Sequence, residues 1–152
     1  MGKRIRVLVA KLDLERYDRG AEIVARSFCS AGFEVILCEF PQTPEQVAEV
    51  ALQEDVDAVA LLLLSGMHNA LFPKTARIIK GKGLKDVLVI GGGAIPQADI
   101  SGLIEAGVAA VFIPGTPTAS IVEFVSANAK TREGGDSLNR YCPMPSLGLD
   151  SK

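Results

Sequence analysis

Five times along this chain a short apolar, β-branched run gives way to a segment with helical periodicity, and nothing else in the sequence restricts its fold as much. Strand-like runs fall at 5–10, 33–38, 58–63, 87–90 and 109–113. Helical patterns fall at 19–31, from a start at Thr43 to about 54, and at 69–82, 97–106 and 118–129. In the first helix Ile23, Val24, Phe28 and Ala31 share one face, and Gly32 supplies a stop. The second helix opens on Thr43-Pro-Glu-Gln46, which reads as a cap, a first-turn proline and a capping box. The third helix tolerates Pro73 near its start. The run 58–63 is apolar throughout, as a strand covered on both faces should be. Short links between alternating strands and helices require parallel strands with helices on both faces. The expected fold is therefore α/β: a five-stranded parallel sheet in the flavodoxin-like (Rossmann-like) order 2-1-3-4-5. Strands 1 and 3 then meet at the switch point, and ligands bind beyond the carboxyl ends of the strands. The loops to inspect are 11–19, 64–69, 91–96 and 114–118.

A chain of 152 residues suits one such domain. The folded unit is expected over 1–130. From 131 to 152, Gly134, Gly135, Pro143 and Pro145 interrupt any periodicity, giving an irregular tail with Tyr141, Met144 and Leu147 as candidate anchors. A net charge of −2 with scattered basic residues argues against a nucleic-acid or membrane-surface partner. The longest apolar run, 59–64, is too short to cross a bilayer. No signal peptide is visible, and a cytoplasmic location is expected. The three cysteines, Cys29, Cys38 and Cys142, lack metal-type spacing and are expected as free thiols, Cys38 as a small buried hydrophobe.

Several nucleotide and phosphate sites of this architecture are excluded. A dinucleotide fingerprint or P-loop needs glycines after strand 1, and 11–19 has none. Flavodoxin-type FMN binding needs a hydroxyl- and glycine-rich loop there. A phospho-receiver needs an aspartate at the end of strand 3, where leucines stand, and a lysine where Pro114-Gly115-Thr116 stand.

The segments Arg6-Val-Leu-Val-Ala-Lys11, Asp18-Arg-Gly-Ala21, Gln42-Thr-Pro-Glu-Gln-Val-Ala48, Gln53-Glu-Asp-Val56, Gly92-Gly-Ala-Ile-Pro96 and Pro114-Gly-Thr116 run in order over about 4–126. Together they resemble the cobalamin-binding domain, or small subunit, of methylmalonyl-CoA mutase-type acyl-CoA mutases. The resemblance implies a cobalt-ligating loop, Asp-x-His-x-x-Gly, at Glu15-x-Tyr17-x-x-Gly20. An acid and the glycine are kept, with Lys11, Asp18 and Arg19 around them, but Tyr17 replaces the histidine. A neutral phenol is a poor cobalt ligand. Ionising one at neutral pH requires a pKa well below about 10, which the like charge of Glu15 opposes. The family's Ser-x-Leu motif, lining the channel for the displaced nucleotide tail, falls on Leu62 and Leu64, so an apolar side chain replaces the hydroxyl; Ser65 follows. Its Gly-Gly motif is kept as Gly92-Gly93, where glycine allows a bulky ligand close to the backbone. His68, Gly115 and Thr116 complete the implied site.

Simpler readings stand beside these. Tyr17 can be a loop tyrosine or a plug in the channel. Asp13 and Glu15 can be solvated acids, His68 a helix-start residue, and 91–93 a tight turn. Two functions follow. In one, the chain is a cobalamin-binding module, not catalytic alone, that partners the separate catalytic barrel of an adenosylcobalamin-dependent mutase. The corrinoid is then base-on or water-ligated, and a homodimer is a further expected assembly. In the other, it is a degenerate homologue that has lost cobalamin and serves a structural, regulatory or other small-ligand role.

Overall fold

The computed structural model describes residues 4–12, 20–38, 42–63, 68–113 and 115–129. The elements are β1 (Arg6–Lys11), α1 (Gly20–Ser30), β2 (Glu34–Leu37), α2 (Pro44–Glu54), β3 (Ala58–Leu62), α3 (His68–Gly81), β4 (Leu88–Gly92), α4 (Gln97–Glu105), β5 (Ala110–Phe112) and α5 (Thr118–Asn128). All strand pairs are parallel and their order is β2-β1-β3-β4-β5, as the alternation demands. The tail 131–152 lies outside the described residues.

The helices sort onto the two faces by their apolar stripes. On one face, Val47, Ala48 and Ala51 of α2, Phe72, Ala76 and Ile79 of α3 and Leu103 of α4 cover Leu8, Val59, Leu61 and Val89. On the other, Ala21, Ala25 and Phe28 of α1 and Ile121 and Val125 of α5 cover Val7, Val9, Ala58, Ala60 and Ile90. Phe28 and Phe72 are both fully buried, and each such side chain contributes roughly 2–3 kcal/mol of transfer free energy. The first-helix face expected from the sequence needs correction. Ile23 is 53% exposed and Ala31 is exposed. The stripe that meets the sheet is Ala21, Ala25, Phe28, spaced four and three apart, and its two alanines let α1 lie close to the strands.

The predicted start of α2 is present in full. Thr43 Oγ1 accepts from the Gln46 N–H at 3.1 Å, while Gln46 Oε1 accepts from the Thr43 N–H at 2.9 Å. The helix closes on Asp55 in the left-handed conformation, φ 56°. Gly32 likewise stops α1 with φ 96°. Ion pairs Lys74–Glu45 at 3.5 Å and Lys82–Glu49 at 3.3 Å link α2 to α3 and to the residue just after it.

At the amino ends of the strands, Arg6 of β1 and Glu34 of β2 are register partners. Their side chains form a buried pair, Nε to Oε1, at 2.9 Å. The guanidinium also donates to the Glu54 carbonyl at 2.7 Å, and the Arg6 backbone N–H donates to Asp57 Oδ2 at 2.9 Å. Glu34 Oε2 is buried without a hydrogen-bond partner among the described residues. This cluster ties β1, β2 and the end of α2 together at the end of the sheet opposite the switch-point loops.

The cysteines do not share one state. Cys38 is free, but Cys29 is disulfide-bonded. Spacing along a sequence does not say which cysteines a fold brings within bridging distance, and so the free-thiol expectation failed at Cys29. Burial raises the Cys38 thiol from its ordinary 9.0 to about 11. A pKa raised by folding favours the folded state below the unfolded value, and that contribution is lost as pH rises. Stability should therefore decline between pH 9 and 11, and Cys38→Ala should lose that portion of the decline. Urea titrations at stepped pH read both, and identical slopes in the two proteins would refute the assignment.

Candidate functional site: an apolar cleft at the switch point

β1 and β3 pair with Lys11 opposite Leu62, and β3 and β4 pair with Leu62 opposite Gly92. Three of the positions expected from the sequence thus stand side by side across three strands. β4 runs two residues beyond its predicted end. Gly91 and Gly92 are its last residues, held in register with Val111 and Phe112 of β5, so 91–92 belong to the sheet rather than to the following loop. The strand continues because neighbours on both sides still offer ladder partners, a tertiary effect that glycine's weak strand preference does not reveal.

Two of these glycines, Gly91 and Gly93, are required by the protein itself. A Cβ on Gly91 would enter the ring of Phe72, and one on Gly93 would collide with the Leu63 carbonyl oxygen. Gly93 also has φ 143°, where side-chain-bearing residues are strained. At Gly92 a Cβ would sit 3.0 Å from Leu62 Cδ2. Gly91 and Gly93 thus have intramolecular neighbours that exclude a side chain, while Gly92 and Gly93 also line the cleft described next.

Leu62 does not close the site. Between the carboxyl ends of β3, β4 and β5 and the first turns of α1 and α5 lies a cleft of about 290 Å³, at the small end of the range, roughly 300–1,000 Å³, typical of ligand pockets. Gly20, Leu62, Gly92, Gly93, Gly115 and Thr116 line it, so six of the residues singled out in the sequence converge there. Lys11 lies next to it through its register with Leu62 and is not part of the lining. His68 is the first residue of α3. Glu15, Tyr17, Asp18, Arg19, Leu64 and Ser65 lie outside the described residues.

The rest of the wall was not foreseen. Ile23 and Val24 come from α1, Phe112 from β5 and Ile121 from α5, with Ala60 and Ile90 from the strands. Each reads in the sequence as ordinary core. Their shared signal is that α1 and α5 pack on the same face of the sheet, which only the assembled topology shows. The Phe112 ring is held edge-on against Phe124, centroids 5.9 Å apart at 72°. A larger open groove of about 860 Å³ follows the outer surfaces of α1 and α5, touching the cleft at Ile23 and Thr118. It lies away from the strand ends, where ligands of this architecture bind. Among the described residues, no group of three or more His, Cys, Asp or Glu could hold a metal ion, and no helix is long and apolar enough to cross a membrane.

Comparison with known proteins decides the family. Residues 5–123 match the B12 binding domain. The chain belongs to that family. It is 38% identical to the 2-hydroxyisobutanoyl-CoA mutase small subunit of Aquincola tertiaricarbonis over 128 residues, covering 84% of this chain and 94% of that protein. It is 41% identical to methylmalonyl-CoA mutase of Rhizobium meliloti (strain 1021) over 116 residues, which is 76% of this chain but only 16% of that much longer enzyme. Among solved structures, a cobalamin-binding protein from Desulfitobacterium hafniense DCB-2 shares the fold with a TM-score of 0.71 at 19% identity, over 84% of this chain and 60% of that one. The family resemblance and the sheet order read from the sequence both hold.

Proposed function

We propose that this B12-binding domain is the corrinoid-carrying partner of a separate acyl-CoA mutase subunit, and that it holds the corrinoid with the nucleotide tail in the cleft and no protein imidazole beneath the cobalt. The observation that carries the reading is the cleft itself. With Leu62 in the serine position, about 290 Å³ of apolar space still lies between α1, α5 and the strand ends. Gly20, Gly92 and Gly115 keep side chains out of it. A tail placed there cannot also ligate the cobalt, so the base-off, water-ligated form is preferred to the base-on one. Likeness to a mutase small subunit along nearly its whole length supports a two-chain arrangement. Bound adenosylcobalamin would supply the radical chemistry, and this chain would bind and orient it. Lys11 from the end of β1, with Glu15, Tyr17, Asp18, Arg19, Leu64 and Ser65, is proposed to surround the lower face, and His68 at the start of α3 is proposed to stand beside the corrinoid without ligating the cobalt.

The test is retention of hydroxo- or adenosylcobalamin through desalting, followed by a visible spectrum. Retained corrinoid with a base-off spectrum is expected. A base-on spectrum would overturn the tail placement. No retention at high micromolar concentration would favour the degenerate-homologue reading, which the replacements at Tyr17 and Leu62 suggest. In that case the Tyr17→His/Leu62→Ser variant separates lost contacts, which it restores, from a collapsed pocket, which it does not.

A further inference from the structure

We infer that Cys29 is bridged to Cys142, and that this reversible bond straps the segment following α5 into the outer groove between α1 and α5. The occupant of that groove is then the chain's own carboxy-terminal segment. The inference does not rest on the corrinoid reading. It follows from the states of the cysteines and from which residues wall the groove.

The sequence holds three cysteines, Cys29, Cys38 and Cys142. Cys29 is disulfide-bonded and Cys38 is free. Within one chain, Cys142 is the cysteine left to complete the bond. A disulfide needs its two Cα atoms within about 7 Å, so the chain at Cys142 has to reach the last turn of α1, where Cys29 stands half-buried. The segment sets out from the other wall of the same groove. Ser126, in the last turn of α5, lines it, and so do Ser27 and Ser30 on either side of Cys29. From Ala129 to Cys142 the chain can extend roughly 45 Å, against about 8–10 Å between packed helices. The crossing therefore leaves ample chain to lie in the groove.

The two surfaces match in chemistry. The groove carries Glu22 and Glu123 against the single cation Arg26, with Ile23 and Val122 between them. Ile23 is a large apolar side chain left exposed by the helices. Around Cys142 the sequence supplies Arg140 for the carboxylates and Tyr141 and Met144 for the apolar wall. Pro143 and Pro145 favour an extended backbone, which suits a long groove. Closing the bond takes one hydrogen from each thiol. The two electrons and two protons pass to an external disulfide such as oxidised glutathione, which leaves as two thiols. Reduction reverses the step and uncovers the groove.

The full chain equilibrated in glutathione buffers of stepped ratio tests this. Free thiols are trapped with iodoacetamide, and the protein is digested with trypsin and a Glu-specific protease, which separates Cys29 from Cys38 at Glu34. In oxidising buffer a Cys29–Cys142 linked peptide is expected, with the label on Cys38 alone and an intact monomer lighter by two hydrogens. Tryptic cleavage of the native chain after Arg140, read on reduced samples, should then be on the order of 10-fold slower than in reducing buffer, because cleavage follows the population of the open strap. Cys142→Ser should cut at the fast rate in both buffers. Ser126→Arg, an exposed change on the α5 wall, should keep the bridge and the unfolding midpoint but speed cleavage. Cys29 joined to Cys38 or to a second chain, or all three cysteines labelled at the most oxidising ratio, overturns the bridge. Equal cleavage in the two buffers, or a Ser126→Arg variant cut no faster than the parent, overturns the groove as the seat of the segment.

Discussion

Arg6→Leu should destabilise the folded chain by about 3–5 kcal/mol, because it leaves Glu34 charged and buried with nothing to neutralise it. Glu34 is 5% exposed and already has one oxygen without a partner among the described residues, so little slack remains to absorb the loss. The Arg6 guanidinium also holds the Glu54 carbonyl at the end of α2. Removing both partners together should cost much less, since an apolar pair of similar volume often replaces a buried ion pair without penalty. Urea unfolding of Arg6→Leu and of Arg6→Leu/Glu34→Leu gives both numbers. A single variant within about 1 kcal/mol of the parent, or a double variant as unstable as the single, would show that the pair is not what fixes this end of the sheet. The cluster lies at the amino ends of the strands, so the fraction of the variant that remains folded should bind corrinoid with unchanged affinity.

Gly92→Val should do the reverse, removing corrinoid binding while sparing the fold. The added side chain would emerge into the cleft beside Leu62, and only the tip of that flexible side chain obstructs it. Gly92 lies in a strand with no positive φ, and valine suits a strand. Stability is expected within about 1.5 kcal/mol of the parent. Corrinoid affinity should fall by roughly 100-fold, equivalent to about 2.7 kcal/mol. The neighbouring Gly93→Ala gives the contrast. There the new Cβ meets the Leu63 backbone at φ 143°, and roughly 2–3 kcal/mol of folding stability should disappear. Paired titration and urea unfolding of the two variants separate the ligand's need for space from the fold's own. A Gly92→Val protein that binds as well as the parent would place the corrinoid elsewhere.

Much of this architecture can be read in the amino-acid sequence, because each of its strongest signals is local. The capping box at Thr43 and Gln46, the stop at Gly32 and the uninterrupted apolar run of β3 depend on residues a few positions apart. So does the alternation that dictates a parallel sheet. The misreadings arise where distant segments meet. Ile23 reads as core until α1 is rotated to seat Ala21, Ala25 and Phe28 on the strands. Gly91 and Gly92 read as a turn until β3 and β5 are present to pair with them. Leu62 reads as a plug until α1 and α5 are seen to leave room above it. The family's motif positions Leu62, Gly92 and Gly93 fall together at one end of the cleft. Its opposite wall, built from Val24, Phe112 and Ile121, carries no motif because apolar walls need only size and shape.

The contact between Leu63 and Gly93 has a consequence for how the site responds. The Leu63 N–H bonds the Gly92 carbonyl at 3.2 Å, and the Leu63 carbonyl presses on Gly93, too close for any side chain there. The segments leaving β3 and β4 are thus rooted on one another, backbone against backbone. A displacement at the root of one is passed to the other without a side chain to cushion it. Leu63 and Gly93 should therefore shift together when a molecule arrives, as a single lever, and a substitution at either should alter the response of both.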